Sequence, residues 1–369
     1  MSKFRSVPAG LVMSKYRKIA GEQASEYKRL SLTLGGVVPR RRDDTEGLQP
    51  ASLEGYQVLP EGSLVFKLID LENIATSRVG LSSETGIVSP AYIVTRVRSD
   101  RLLAKFGYYS FWDLYKRNYF NNIGSEGVRR ALNYSDLARI RIPLPPLETQ
   151  RRIADYLDRE TAEIDAAVAD LDRYVELLEK RRLLIVDEIL CKSKFPAAPI
   201  FTVASLKSGD SITSEYIQKS GEFPVYGGNG LRGYTNNYNQ ESDRILIGRQ
   251  GALCGNIHLA KGPFFATEHA LVVSPRDSIN LVWFEHALRD LNLGNLSQAS
   301  AQPGISAGEV VRQRVHLPPL SVQNEIATRI SLEINQIDSI IADSTRLRDL
   351  LLKRRYVLIT EVVTGRKRV

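Results

Sequence analysis

The sequence predicts an α+β protein. Two similar α+β domains alternate with two long helices that pair antiparallel, as an internal duplication with a pseudo-two-fold. Two observations predict this. First, the stretch from Leu144 to Ile189 reappears from Leu317 to Val362, aligned without a gap at an offset of 173 residues. Gln150 matches Gln323, Ile153-Ala154 matches Ile326-Ala327, Ile164-Asp165 matches Ile337-Asp338, and Lys180-Arg181-Arg182 matches Lys353-Arg354-Arg355. Second, a longer segment precedes each copy. In it, β-rich runs alternate with glycine turns and give way to an aromatic stretch of helical spacing. The expected boundaries are 1–142 for the first variable domain and 143–192 for the first helix. The second variable domain takes 193–315 and the second helix 316–369.

Each repeated stretch opens with Pro-Pro, which sets an extended entry and cannot sit deeper in a helix. Neither Pro nor Gly follows for dozens of residues. In the first copy Leu157, Ile164, Leu171, Leu178 and Ile185 recur every seven residues. Thr161, Val168, Val175, Arg182 and Ile189 trail them by four, which makes one coiled-coil seam. A helix from 147 to 190 spans roughly 65 Å at about 1.5 Å per residue. In the second copy Ile330, Ile337, Leu351 and Leu358 keep the seam, while Ser344, Arg348 and Arg355 interrupt it. A seam of that length needs a partner. The other copy in the same chain is the favoured one, since an intrachain pair places the variable segments at opposite ends; a coiled coil between chains is the alternative. The arginines at 182, 348 and 355 are either contact points for other subunits or solvated.

The variable segments read as follows. Residues 1–30 are polar, with basic amphipathic character around Lys15 to Lys18 and Lys28-Arg29, and suggest a loose start with one helix. Arg40 to Asp44 is a charged loop, either a phosphate contact or a solvated turn. Gly62 to Asp70 and Gly86 to Val94 are β-rich, Phe106 to Tyr119 is helical in spacing, and Ala138 to Ile142 is a strand feeding the first Pro-Pro. Lys192 to Pro199 reads as a linker. Phe223 to Tyr234 is densely turned, Ile245 to Asn256 is a strand breaking into a glycine loop, Phe265 to Val273 is a strand, and Trp283 to Leu291 is a short helix. Arg312 to Val315 matches Arg139 to Ile142. Ser89-Pro-Ala-Tyr and Thr267-Glu-His-Ala correspond weakly as hydroxyl-bearing strands, so one α+β scaffold with divergent loops is expected twice.

The formal charge of +8 is uneven: +6 over residues 1–138, −1 over 139–196, −2 over 197–311 and +5 over 312–369. A basic chain favours a polyanion such as nucleic acid. The acidic second variable segment must then contribute through placed side chains. Cys191 and Cys254 form no Cys-x-x-Cys pair, which suggests a reducing compartment. No signal peptide and no apolar run of about 18 residues is present, so a cytoplasmic protein without a membrane span is expected.

No P-loop, no Asn-Pro-Pro-Tyr-type base-gripping run and no His-Glu-x-x-His pair occurs. His269 beside Glu268 lacks an identifiable nucleophile and reads as a strand-end polar group or a base contact. The loop Gly248-Arg249-Gln250-Gly251 could cradle phosphate, but no clear helix follows it. Base reading suits it better, because Arg reaches guanine O6 and N7 while Gln or Asn pairs with adenine. Asn229, Arg232, Tyr234, Arg249, Gln250, Asn256, Thr267 and His269 are the candidates in the second segment. Lys67, Ser89, Tyr92 and Arg129 are those in the first.

The repeated Leu-Pro-Pro-Leu…Gln…Ile-Ala…Ile-Asp…Leu-Leu-x-Lys-Arg-Arg helices resemble the two conserved regions of type I restriction–modification specificity subunits. Tyr226-Gly-Gly-Asn-Gly, Ile247-Gly-Arg-Gln-Gly-Ala-Leu-Cys-Gly-Asn and Thr267-Glu-His-Ala resemble one type of target recognition domain in that family, and Gly86 to Tyr92 resembles another. The resemblance covers nearly the whole chain. It implies that each variable domain reads one half of a split site in double-stranded DNA, with the helices as a ruler for the gap. It further implies seats for two modification subunits, which carry S-adenosylmethionine and methylate adenine, and for restriction subunits that use ATP and Mg. The chain itself then binds no cofactor and is no enzyme. His316 stands where the first copy has Pro143, so the two seats are not expected to be equivalent. Two other readings compete: a DNA methyltransferase or nuclease with its own recognition module, and a coiled-coil scaffold with no nucleic-acid role.

Overall fold

The computed structural model describes residues 3–40, 52–71, 77–123, 131–190, 195–251, 253–276, 278–297 and 303–369. The chain divides into two compact units, Met1–Asp172 with Thr345–Val369, and Arg173–Ser344. The repeated stretches form helices of 44 residues each, Leu147–Leu190 and Leu320–Val363, and each runs through both units.

In the first unit a four-stranded antiparallel sheet runs Met13–Lys15, Ile93–Val97, Leu64–Phe66, Val79–Leu81. Its strands are rich in Val, Leu, Ile and Phe, and Leu64, Val65, Phe66 and Val94 are fully buried. The helix Ala104–Lys116 buries Phe106, Tyr109, Phe111 and Trp112, and Phe66 meets Phe111 edge-on with ring centroids 4.9 Å apart. The same core takes in Ile153, Leu157 and Ile164 from the first long helix and Leu358, Ile359, Val362 and Val363 from the second. Removing this much apolar surface from water is the main stabilising term.

In the second unit the sheet order is Ala204–Ser208, Ala270–Pro275, Arg244–Gly248, Ile257–Ala260. The chain therefore threads both four-stranded sheets in the same order. The helix Leu281–Asp290 packs Trp283, Phe284 and Leu288 into a core shared with Ile189, Leu190, Ile326, Ala327 and Ile330 of the long helices. A strand leading into each long helix closes both units: Arg141–Pro143 pairs with Ser6–Pro8, and Arg314–His316 pairs with Ala197–Pro199.

The repeated glutamines lock these closures. Gln150 Oε1 accepts from Leu103 N at 2.8 Å while its Nε2 donates to Arg101 O and Pro145 O. Gln323 Oε1 accepts from Asn280 N at 3.1 Å, and its Nε2 donates to Pro318 O. Both side chains are buried, so each amide finds protein partners instead of water.

Along the long helices Leu157, Ile164, Leu178, Ile330, Ile337 and Leu358 are buried, and Leu171, Ile185 and Leu351 are partly so. The arginines that break the seam pair with aspartates of the opposite helix. In the first unit Arg355 Nε lies 2.8 Å from Asp165 Oδ1, and Arg348 Nη1 lies 3.2 Å from Asp172 Oδ1. The rising number on one helix meets the falling number on the other, so the pairing is antiparallel. In the second unit Arg182 Nε lies 3.3 Å from Asp338 Oδ1. Asp165 and Asp338, like Arg182 and Arg355, are matched positions of the duplication. The Arg348 and Arg182 pairs are exposed and contribute little to stability, whereas Arg355 is largely covered; all three fix register. Arg355 also lies over the Trp112 ring, 5.0 Å from its centroid.

Four local expectations are corrected. Met13–Lys15 is a strand and Ser6–Pro8 is paired, so residues 3–30 are woven into the fold rather than loose, and their helical turns are short 3-10 segments at Ala9–Leu11 and Gly21–Glu26. Ala138 and Arg139 end a short helix, Tyr134–Arg139, whose capping box is built by Asn133 and Asp136; the strand begins at Arg141. The densely turned stretch Phe223 to Tyr234 is, as expected, strand and glycine turn: a hairpin of Phe223–Gly227 against Gly230–Thr235. The end of the supposed linker, Ala197–Pro199, is a strand. Ser89 to Tyr92 and Thr267 to Ala270 are tight turns, closed by Tyr92 N to Ser89 O at 3.1 Å and Ala270 N to Thr267 O at 2.9 Å. No helix among the described residues is long and apolar enough to cross a membrane.

Candidate nucleic-acid interface

In the second unit most of the sequence-selected residues collect at one end of the sheet. Arg249 follows the strand Arg244–Gly248, and His269 precedes Ala270–Pro275, where Gly248 and Ala270 are registered partners. Arg249 N donates to His269 O at 2.9 Å, and Arg249 Nη1 donates to Ser208 Oγ at 2.9 Å. Gln250 Oε1 lies 2.9 Å from His269 Nδ1, and Glu268 Oε1 lies 3.4 Å from His269 Nε2. Asn256 sits at the same end, its carbonyl accepting from Gly248 N at 2.8 Å.

The hairpin turn at 227–230 lies on this end because two glycines permit it. A Cβ on Gly248 would stand 2.1 Å from Gly228 O, and one on Gly228 would stand 2.8 Å from His269 O. The turn exposes Asn229 and lays the Arg232 side chain over Gly227. Thr267 is fully buried, so it supports the turn from beneath and does not reach solvent. Tyr234 pairs with Pro224 at the far end of the hairpin and with Gln218, away from the cluster.

The first unit repeats the arrangement. Lys67 follows the strand Leu64–Phe66 and Tyr92 precedes Ile93–Val97, with Phe66 and Ile93 as registered partners. Burial, then Arg78, lowers the Lys67 pKa, with Asp70 opposing. Burial raises the Tyr92 phenol, with Tyr56 adding to it and Arg40 and Arg29 opposing. Ser89 is half-buried, and its Oγ accepts from Ala91 N at 3.3 Å within its own turn. Arg129, and Arg41 to Asp44 of the charged loop, lie outside the described residues.

Several residues that shape these ends escaped the sequence reading. Gln57, buried, donates through Nε2 to the carbonyls of Ser89, Pro90 and Tyr92 and so holds that turn. Asn239 does the same in the second unit, bonding Asp210 Oδ2, Ala266 O and Ala266 N. Arg78, also buried, holds the carbonyls of Ile69 and Asp70. Ser208 lies on a strand that gave no polar signal. Gln57 opens the strand Gln57–Leu59 and Asn239 lies in a loop; a lone amide has no spacing signature in either, so no pattern could have singled them out.

Two histidines of the second unit supply a pH dependence. Burial holds His258 below its ordinary value of 6.5, as does Arg289, with Glu285 opposing. Burial also lowers His286, with Glu285 opposing and Arg289 and Arg182 adding. A histidine depressed in the fold takes its proton more readily when unfolded. Stability is therefore full above about pH 6.5 and falls as pH drops through that unfolded value. Thermal melts between pH 8 and 5 are expected to show this fall, and His258→Gln with His286→Gln is expected to reduce it.

Against known proteins, the family model for the type I restriction modification DNA specificity domain matches residues 54–169 and 199–343. The chain is 40% identical over 129 residues to the type I restriction enzyme EcoprrI specificity subunit of Escherichia coli, covering 34% of this chain and 32% of that one. It is 25% identical over 151 residues to a putative type I restriction enzyme specificity subunit of Haemophilus influenzae, covering 40% and 39%. The matches thus span well under half the length of these relatives. Among solved structures, a chain from work on complex assembly and conformational transition of the type I R-M system superposes with a TM-score of 0.79, at 17% identity over 98% of this chain and 97% of that chain. The HsdS subunit from Thermoanaerobacter tengcongensis gives 0.58, at 17% identity over 98% and 97%. At such identity these two speak for the fold alone.

Proposed function

The chain belongs to the type I restriction modification DNA specificity family, and on that premise we propose that it is the DNA-reading subunit of a type I restriction–modification complex. Each unit reads one half of a bipartite site in double-stranded DNA, and the long helices act as the spacer over the unread gap. The chain performs no catalysis of its own. Adenine methylation with S-adenosylmethionine belongs to two modification subunits, and ATP- and Mg-dependent cleavage to restriction subunits, all in the cytoplasm.

The observation that carries this reading is the recurrence of one sheet end. Arg249 and His269 in one unit stand where Lys67 and Tyr92 stand in the other. Arg249 and Gln250 suit a major-groove edge, and lysine suits phosphate. The second segment carries a formal charge of −2, so its affinity depends on these side chains and on partner subunits closing round the duplex.

The long helices also expose apolar side chains at matched positions: Tyr174 and Leu347, Leu177 and Leu350, Leu184 and Val357. Exposed apolar residues recurring along a helix mark a protein contact, and their duplication suits two copies of one partner.

The assembled complex tests the DNA contact. Arg249→Ala is expected to weaken cognate binding about ten- to hundredfold and to relax one half-site, while Lys67→Ala weakens binding of all sequences alike and flattens the salt dependence. Unchanged binding curves for both variants would leave the scaffold reading in place.

A further inference from the structure

We propose that His269 is a positioning residue that sets which base edge Gln250 reads, so that Gln250 is the adenine reader of its half-site. The inference rests on the DNA-specificity reading and names the chemistry within it. Gln250 Oε1 lies 2.9 Å from His269 Nδ1. An amide oxygen carries no proton, so Nδ1–H is the donor. Glu268 Oε1 stands 3.4 Å from Nε2, at the opposite edge of the ring. His269 O accepts from Arg249 N at 2.9 Å, which ties its backbone to the residue before Gln250.

The consequence concerns the amide. One lone pair of Oε1 is taken by His269, and the other remains together with both Nε2 hydrogens. Gln250 is exposed, so that remaining face is open to a ligand. Its donor and acceptor match adenine, whose N7 accepts and whose N6 donates in the major groove. A free glutamine can flip its amide and offer the opposite order, whereas one held through Oε1 cannot without losing the bond. His269 thereby converts a flexible side chain into a directional one. Arg249, held by Ser208 Oγ at 2.9 Å, is directed independently, so the two neighbours read separate positions.

The test measures methylation rates of the assembled complex on DNA carrying each of the four bases at every position of the half-site. Gln250→Ala is expected to lose about ten- to hundredfold of discrimination at one position, against adenine. His269→Ala should relax the same position, and the double variant should do no more than either single change. His269→Asn and His269→Gln separate positioning from bulk. An asparagine Nδ2 takes the place of Nδ1 and should keep discrimination; a glutamine Nε2 takes the place of Nε2 and should lose it. Should His269→Ala slow all sequences equally, or the glutamine variant outperform the asparagine one, the positioning role is wrong while the reading surface stands. Should Gln250→Ala and Arg249→Ala leave every position unchanged, the DNA-reading assignment of this surface fails with it.

Discussion

Leu177→Asp combined with Leu350→Asp is expected to yield a folded chain that no longer co-purifies with modification subunits. Leu177 is 53% exposed and Leu350 54% exposed, so neither supports a core, and far-UV circular dichroism and the melting temperature should stay close to those of the parent. Both lie at the same place in the duplication, each three residues after a second exposed apolar residue, Tyr174 and Leu347. Anchors of this kind at the centre of an interface each contribute about 2 kcal/mol or more when lost. A carboxylate buried without a partner adds a desolvation cost. Two such seats weakened by that amount lower the affinity of each about thirtyfold or more, and size-exclusion chromatography at micromolar concentration should show free subunits. Single substitutions should give a complex lacking one modification subunit. An intact complex from the double variant would mean that partners dock elsewhere on the chain.

The second large effect is expected at Gly248. Its added Cβ would stand 2.1 Å from Gly228 O and 3.1 Å from Leu253 O, both backbone atoms. Gly248 also sits in the ladder, with its N–H on Asn256 O and its carbonyl accepting from Gly255 N at 2.7 Å, so the strand cannot withdraw cheaply. Gly248→Ala should therefore push the 227–230 turn off the sheet end, at a cost of about 1–3 kcal/mol for overpacking. Asn229 and Arg232 move with that turn, so discrimination over the second half-site should collapse while the first half-site is still read. Gly308→Ala is the control: its Cβ meets nothing nearer than Ser306 Oγ at 3.9 Å. Half-site discrimination retained by the Gly248 variant would show that the turn is not part of the reading surface.

How far the sequence foretold these features follows from what each one depends on. The first long helix was legible to its ends, and the second, expected over 316–369, runs Leu320–Val363, because a seven-residue period, an opening Pro-Pro and a long run without glycine are all local signals. The cluster of Arg249, Gln250 and His269 was legible as chemistry, since glycine-flanked Arg and Gln are rare inside a core. What brings them together was not legible: Gly248 lies against Gly228 through pairings of distant strands. The arginines at 182, 348 and 355 read as breaks because a single-helix pattern ignores the partner. Asp338, Asp172 and Asp165 answer them only once antiparallel register is set. The strand Met13–Lys15 has no local signal because its basic flank mimics an amphipathic turn, and its pairing with Ile93–Val97 overrides that local preference.

The measurement that tests the account most directly is methylome sequencing of cells that express this chain with a modification subunit. It would be made before and after residues 197–311 are exchanged for the corresponding segment of another family member. Methylated adenines are expected in one split motif with a fixed unread gap. After the exchange, one half of the motif should change while the other half and the gap stay as they were. A stable complex that adds no methylation, or an exchange that alters both halves together, would contradict the assignment of one half-site to each unit.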